Sequence, residues 1–448
     1  MLTRPHVSLR PLVAAILLPF AACATSGDLP LARSPQLADS VAALQHDQVN
    51  IAAPLTVSEI SLLAVQNDPD LRAVRAQHGV AQSQSLQAGL LPNPQVTGAA
   101  LPLLAGPGTT MAWNAGISED IRSLITLSSR RRAARNDAAQ VDAQILWQEW
   151  QVIGQARLLA VDLIEGERNL SLLRRNHDLL AARYDRLQSA VLAGNATLTT
   201  VTPDLAALQA VTTQIDDMQR QQLGRRHQLN ALLGLAPDVA LPLSAPPDLP
   251  AWDPETVTLA LPTLAQRRPD LVALQLGYRA QDAKLRTAIL SQFPNLTFGV
   301  TGGSDNSNVR NMGPQVSLEL PIFNHNQGNI AIEQATRQQL HDEYAARLTA
   351  AVGQVRAMIA EIDLLSRQLE TVRHDLAATL RTATQAEAAF SAGNLDERSY
   401  VDLVSARLSK EQEIVMIEQS LLEQRVAIGT LIGAGMPPIS LPPEVQRS

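Results

Sequence analysis

The chain has 448 residues, a formal net charge of −7 and only 3% aromatic residues. So few rings argue against several compact globular cores, where Phe, Tyr and Trp supply much of the buried area. The dispersed basic residues leave no footprint for nucleic acid, and a mean hydropathy of −0.01 excludes a polytopic helical membrane protein.

The N-terminus has a basic start (Arg4, His6, Arg10), a short apolar run from Leu12 to Phe20, and the small residues Ala21 and Ala22 before Cys23. Residues 1–22 read as a secretory signal peptide, too short to span a membrane. Cys23 is the only cysteine, which excludes an intramolecular disulfide and a cysteine-rich metal site. Its position predicts lipoprotein processing, with Cys23 as the acylated new N-terminus of a lipid-anchored segment, residues 23–54. Phe20 stands where Leu is commoner, and an ordinary signal peptide with an incidental Cys is the alternative. Beyond Ala22 there is no apolar run of the ~20 residues a membrane helix needs.

The rest of the chain repeats one plan twice. Pro69-Asp70-Leu71 recurs as Pro269-Asp270-Leu271, Leu91-Pro92-Asn93 as Phe293-Pro294-Asn295, Ala193-Gly194-Asn195 as Ala392-Gly393-Asn394, and Leu233-Gly234 as Ile432-Gly433. Order and spacing are kept, the mark of an internal repeat. The first repeat is assigned to residues 55–236 and the second to 256–438. A proline-rich linker, 237–255, separates them, and 439–448 is a tail. A run with Pro237, Pro242, Pro246, Pro247, Pro250 and Pro254 carries neither helix nor central strand.

Each repeat reads as helix, two strands, long helix, turn, helix. In the first, Pro69–Leu90 is helical, Val96 and Gly98 begin a strand, Pro102 to Thr110 is a loop, and Trp113, Ala115 and Ile117 line one face of the next strand. Leu127–Leu192 and Asp204–Leu233 are the next helices. In the second, Thr256 to Ser291 is helical, unbroken from Pro269, which a first turn tolerates. Leu296, Phe298 and Val300 alternate with small polar residues, as a two-faced strand does. Gly302 to Asn311 has loop composition, and Val316, Leu318 and Leu320 mark a second strand. Val355, Met358, Ile362, Leu365, Leu369, Val372 and Leu376 step by three and four, a coiled-coil seam. The helix from Gly328 to Ser391 is predicted to be ~95 Å long, and Pro269–Ser291 plus Tyr400–Gly433 nearly match it end to end.

Four strands cannot close a barrel, for which ~8 is the practical minimum. Their faces alternate apolar and small-polar, which suits lipid on one side and water on the other. Closure through sister subunits is the simplest solution, and three chains give ~12 strands. The predicted fold is therefore mainly α with a β-barrel part. It is a homotrimeric, 12-stranded outer-membrane barrel continued by a long α-helical coiled-coil barrel.

With these features the sequence resembles the TolC-like outer-membrane efflux family, over about Leu55 to Pro438. The residues that carry the resemblance are Leu91-Pro92-Asn93-Pro94, Phe293-Pro294-Asn295-Leu296, Leu320-Pro321-Ile322-Phe323, Asn326-Gln327-Gly328-Asn329 and the two Ala-Gly-Asn turns. The N-terminal Cys looks like the lipoprotein branch. The resemblance implies a passive channel without cofactors that sits in outer-membrane lipid. Its partners would be a periplasmic adaptor (a membrane fusion protein) and a resistance-nodulation-division pump in the inner membrane. It also implies that Gly194, Asn195, Gly393 and Asn394 form the adaptor-docking tips. Acidic residues after the second tip would line a periplasmic gate: Asp402 falls on such a position, Ser405 stands where a second acid is common, and Asp204 is the first-half counterpart. A solvated helix-start carboxylate is the alternative for Asp402.

Other residues have plainer readings. His325 is a loop residue at a strand–helix boundary, Trp147 and Trp150 pack against an adjacent helix, and Arg130, Arg131 and Arg132 are a solvated face near the barrel's periplasmic rim, with an anion site as the alternative. Trp113 is either an interfacial or a mid-barrel residue. No nucleotide-binding, paired Glu–His or nucleophile motif is present, so the chain is not expected to be an enzyme. A type I protein-secretion duct and a periplasmic coiled-coil adaptor or scaffold remain as rival functions. The cargo is open, with no Met or His cluster to mark a metal.

Overall fold

The computed structural model describes residues 27–439 and 441. The chain divides into two units, residues 1–37 and 38–448. Of the first, residues 27–37 are irregular and exposed. The signal peptide, Cys23 and most of the tail lie outside the described residues. Every helix and strand among the described residues belongs to the second unit.

The elements of that unit run α1 (Val57–Asn67), α2 (Pro69–Gly89), β1 (Gln95–Leu101), β2 (Ala112–Asp120), α3 (Ile121–Leu192), α4 (Leu198–Leu233), α5 (Pro254–Ala260), α6 (Leu264–Arg267), α7 (Pro269–Leu290), β3 (Asn295–Ser304), β4 (Arg310–Glu319), α8 (Gln327–Ser391) and α9 (Glu397–Leu431). Local signals set the starts. Thr56 and Glu59 close a capping box on α1. The Asp68 side chain accepts from Leu71 N at 2.9 Å, with Pro69 at the first position of α2. Pro269 plays the same part in α7.

The two long helices have 72 and 65 residues, about 110 and 100 Å. Beside each lie two shorter helices that continue one another. A Cβ on Gly234, at the end of α4, would meet Asn67 O at 3.4 Å and Pro69 Cγ at 3.6 Å; one on Gly433, after α9, would meet Arg267 O at 3.2 Å. So α4 abuts the start of α2, and α9 abuts the start of α7. Lateral packing gives one order: α2 with α4, then α3, then α7 with α9, then α8.

The predicted seam of α8 is real. Val355, Ile362, Leu369 and Val372 are buried against Ile414, Leu421 and Ile428 of α9, with Met358, Leu365 and Leu376 at the margin. Both partners repeat at seven-residue steps, as knobs-into-holes packing needs. A second core joins α1 and the linker to α3 and α4, through Leu63, Ala160, Leu229 and Leu235.

The sheet is antiparallel in sequential order β1-β2-β3-β4. The pairing of β2 with β3 sets Ile117 opposite Val300 and joins the two halves. Three expected boundaries move. Gly302, Gly303 and Ser304 belong to β3, and Arg310 and Asn311 to β4, so the loop is only 305–309. There Asp305 Oδ1 accepts from Ser307 N at 2.8 Å and Val309 N at 2.9 Å, and a side chain that closes the turn this way needs few residues. Helix α3 starts at Ile121, directly after β2, rather than at Leu127. Helix α4 starts at Leu198, not Asp204, and holds Pro203 inside. Pro203 is the sixth helical residue, so it forfeits only one of the early backbone hydrogen bonds.

Candidate functional site

The sheet has two unlike faces. Val96, Trp113, Ile117, Leu296, Phe298, Val300, Met312, Val316 and Leu318 fall on one, as the register requires. All are exposed; Val96 is 80% and Phe298 51% accessible. An apolar patch this continuous, left uncovered, marks a contact with lipid or protein. The opposite face carries Thr97, Asn114, Ser118, Thr297, Thr301, Gln315 and Ser317, with Gly116, Gly299, Gly303 and Gly313 between them.

Two of those glycines are structurally required. A Cβ on Gly299 would lie 2.4 Å from Ile117 O, and one on Gly303 2.5 Å from Trp113 O. The strands approach too closely on the polar face for a side chain there, which lets the sheet curl toward that face. The strands have 7 to 10 residues, near the 9–11 of a tilted membrane strand. β1 and β4 are open edges among the described residues, and Pro314 in β4 lacks the N–H for one ladder hydrogen bond.

Far from the sheet, the hairpins turn at matched points. Gly194 (φ 76°) and Gly393 (φ 74°) are left-handed. Asn195 N donates to Ala190 O and Asn394 N to Ala389 O, both at 2.8 Å, while Gly194 N reaches Val191 O at 3.0 Å and Gly393 N Phe390 O at 2.9 Å. This is a Schellman ending, which satisfies the last helical carbonyls and favours Gly at the left-handed position.

The first turn is apolar, with Leu192 and Leu198 exposed. The second is polar: Asp396 accepts from Ser399 N at 2.9 Å and caps α9. Those hydrogen bonds hold the Asp396 carboxyl below its ordinary pKa. Phe390 stacks on Tyr400, ring centroids 4.7 Å apart, across the base of the turn.

The three expected gate residues occupy different environments. Asp402 is exposed, with Arg398 one turn away at 3.7 Å. Ser405 is half-buried, its Oγ without a hydrogen-bond partner. Asp204 is buried on α4 against Arg183 of α3: Nε lies 2.9 Å from Oδ1, and Nη2 3.3 Å from Oδ2. One turn further along α3, Arg186 pairs with Glu397 of α9 and ties the first hairpin to the second. Arg183, Arg186 and Glu397 were not singled out by the sequence. The two arginines are three positions apart, which puts them on one helix face, but only the fold supplies their partners.

A charged band crosses the helices midway. Asp162 of α3 receives Gln419 Nε2 at 3.0 Å and lies 3.3 Å from Arg225 Nε. Gln419 also donates to Glu423 at 2.8 Å. Burial first, then the Asp162 carboxylate, push Glu423 up to about 7. Nearby, Arg168 bonds Glu418 at 2.6 Å, and Glu418 also takes Arg373 at 2.8 Å.

The plainer readings fit the contacts. Trp150 Nε1 donates to Thr430 O at 2.9 Å, and Arg268 stacks over Trp147 at 5.0 Å. His325 is an exposed loop residue whose N–H bonds Gln327 Oε1 at 2.7 Å. Among the described residues no cluster of His, Cys, Asp or Glu is arranged to hold a metal.

Residues 260–434 match the model of the Outer membrane efflux protein family. The probable outer membrane lipoprotein SilC of Salmonella typhimurium is 25% identical over 181 residues, covering 38% of this chain and 39% of that protein. The outer membrane protein OprJ of Pseudomonas aeruginosa is 25% identical over 171 residues, covering 36% and 35%. The matches thus span well under half the length of these curated relatives. Among solved structures, CusC, studied for folding and transmembrane channel formation, superposes with a TM-score of 0.67 at 18% identity, over 90% of this chain and all of that one.

Proposed function

We propose, from the premise that this chain belongs to the TolC-like outer-membrane efflux family, that three copies form the passive outer-membrane channel of a tripartite efflux system. The observation that carries this reading is the sheet: one apolar face, one polar and glycine-lined face, and two unpaired edges. The order of the helices agrees with it. β1 and the α2–α4 column stand at one edge of the chain, and β4 and α8 at the other. A head-to-tail ring therefore pairs β4 with the next β1 and α8 with the next α2–α4 column. Such heterologous contacts close when the rotation per copy allows it.

In this assembly the apolar face meets lipid and the polar face lines water. Cys23 carries the lipid anchor in the outer membrane, and the helices extend into the periplasm. The turns at Gly194-Asn195 and Gly393-Asn394 dock a periplasmic adaptor that links the channel to an inner-membrane pump of the resistance-nodulation-division type. Asp402 is the gate carboxylate. Three copies near an axis repel one another at rest and favour cations. Asp204, neutralised by Arg183 in its own chain, contributes rigidity to the gate rather than free charge.

Replacing Gly393 and Asn394 with Phe tests the docking assignment. The variant should still migrate as a heat-modifiable trimer from the outer-membrane fraction, while export is lost. Undiminished export by that trimer would refute it, and a wild-type protein that purifies as a water-soluble monomer would remove the channel reading altogether.

A further inference from the structure

The first turns of α3 carry an unusual charge pattern. Ile121 to Asn136 holds five arginines and no Asp or Glu. The corresponding stretch of the second half, Ile322 to Arg337, holds one arginine, one histidine and one glutamate. The basic stretch therefore belongs to the first half alone. Because β2 ends at Asp120 and α3 begins at Ile121, these residues hang directly below the sheet.

Within the stretch one stripe is exposed: Leu124, Ile125, Ser128, Arg131, Arg132 and Arg135. Thr126, Ser129 and Ala133 are buried between them. Among the described residues, Arg132 and Arg135 have no carboxylate within salt-bridge reach, and Arg131 bonds only the Gly89 carbonyl, at 3.0 Å from Nε. Helix α3 is flanked by α2 on one side and α7 on the other, both of its own chain. A neighbouring copy in a head-to-tail ring meets α2 and α8, so the stripe stays uncovered there.

We propose that this stripe binds the headgroups of anionic phospholipid in the leaflet that the sheet enters from the periplasm. The inference rests on the membrane-channel reading above. Two features select lipid as the occupant. First, the stripe opens on apolar side chains next to the sheet: Leu124 and Ile125 come first, 42% and 56% exposed, and the arginines follow. Ile125 and Arg131 are six positions apart, about 9 Å of helix, close to the depth of a headgroup layer. Second, helical side chains lean toward the N-terminus of their helix. For α3 that direction is toward the sheet, so the guanidinium groups snorkel back to the interface and offer paired donors to phosphate. Three copies of the chain present three such sites.

The test uses full-length trimer in nanodiscs of phosphatidylglycerol and phosphatidylcholine at about one to four, with retained lipid read by native mass spectrometry. A basic residue beside an anionic surface strengthens binding about fivefold. Wild type should therefore retain phosphatidylglycerol well above its share, and Arg131→Gln/Arg132→Gln/Arg135→Gln should bring retention back to that share. Arg132→Gln alone should lose part of it, which keeps the test open if the triple variant assembles poorly. Arg381→Gln, an exposed arginine on α8 near the far turn, should change nothing. An intact wild-type trimer with no preference for phosphatidylglycerol overturns the lipid site and leaves the channel standing. A triple variant that keeps the preference but shifts ion selectivity in planar bilayers also overturns it, because the stripe then lines the lumen. Wild type that fails to enter nanodiscs removes both readings.

Discussion

Removing Arg183 should destabilise the far end of the first hairpin by several kcal/mol. Both partners of the Arg183–Asp204 pair are buried, their side chains 4% and 10% exposed. Arg183→Met leaves a carboxylate with no counter-charge inside the α3–α4 hairpin. Breaking a buried pair from one side costs about 3–5 kcal/mol, whereas replacing both partners with apolar groups is often neutral. Asp204→Leu alone strands the guanidinium and should cost a similar amount. The double variant Arg183→Met/Asp204→Leu should recover most of the loss, giving a coupling of about 2–3 kcal/mol in a double-mutant cycle. The assay is thermal unfolding of the detergent-solubilised trimer at a fixed scan rate, paired with limited proteolysis at the tips. Additive losses in the double variant would show that the two side chains act independently. An Asp204→Asn trimer of unchanged stability but altered conductance would place that carboxylate at the water-filled axis instead of inside the hairpin.

Glu423 gives the protein a pH-dependent stability. Its folded-state pKa is raised from 4.5 to about 7, so the folded chain binds the proton more tightly than the unfolded one. Stability therefore falls as pH rises from about 4.5 to 7 and is constant above. The full shift corresponds to at most about 3 kcal/mol, and partial exposure reduces this to about 1 kcal/mol. Glu423→Gln should flatten the melting temperature between pH 5 and 8; an unchanged slope points to another group. Gly299→Val should block assembly, because its Cβ meets Ile117 O at 2.4 Å, while Gly313→Ala, where a Cβ finds open space, should leave a heat-modifiable trimer. Equal assembly of the two variants contradicts the required close approach of β2 and β3. Cys23→Ser should remove acylation, and an unchanged mass for the mature N-terminus would count against lipid anchoring there.

The legible parts of the fold were those with a strong period. The seam from Val355 to Leu376 could be read because both α8 and α9 bury one stripe every seven residues. The left-handed turns at Gly194 and Gly393 could be read because few other residues tolerate that backbone. Where composition serves two structures, the sequence was ambiguous. Gly302, Gly303 and Ser304 look like a loop, yet the same small residues are what a tightly curled strand needs. The buried state of Asp204 was invisible for a different reason. Its partner, 21 residues away, is reached only after the hairpin closes, and no local pattern separates a buried carboxylate from one on a water-lined wall.

The two long helices join the sheet differently. β2 passes into α3 with no intervening residue, whereas seven residues, 320–326, separate β4 from α8, and one of them, Asn326, is left-handed with φ 61°. A torque applied at the tip of α3 has no slack in which to dissipate before it reaches the sheet. One applied to α8 meets a jointed coupling first. If the proposed channel opens by movement of its hairpins, the second is the one with freedom to swing while the strands keep their register, and the first is the fixed post.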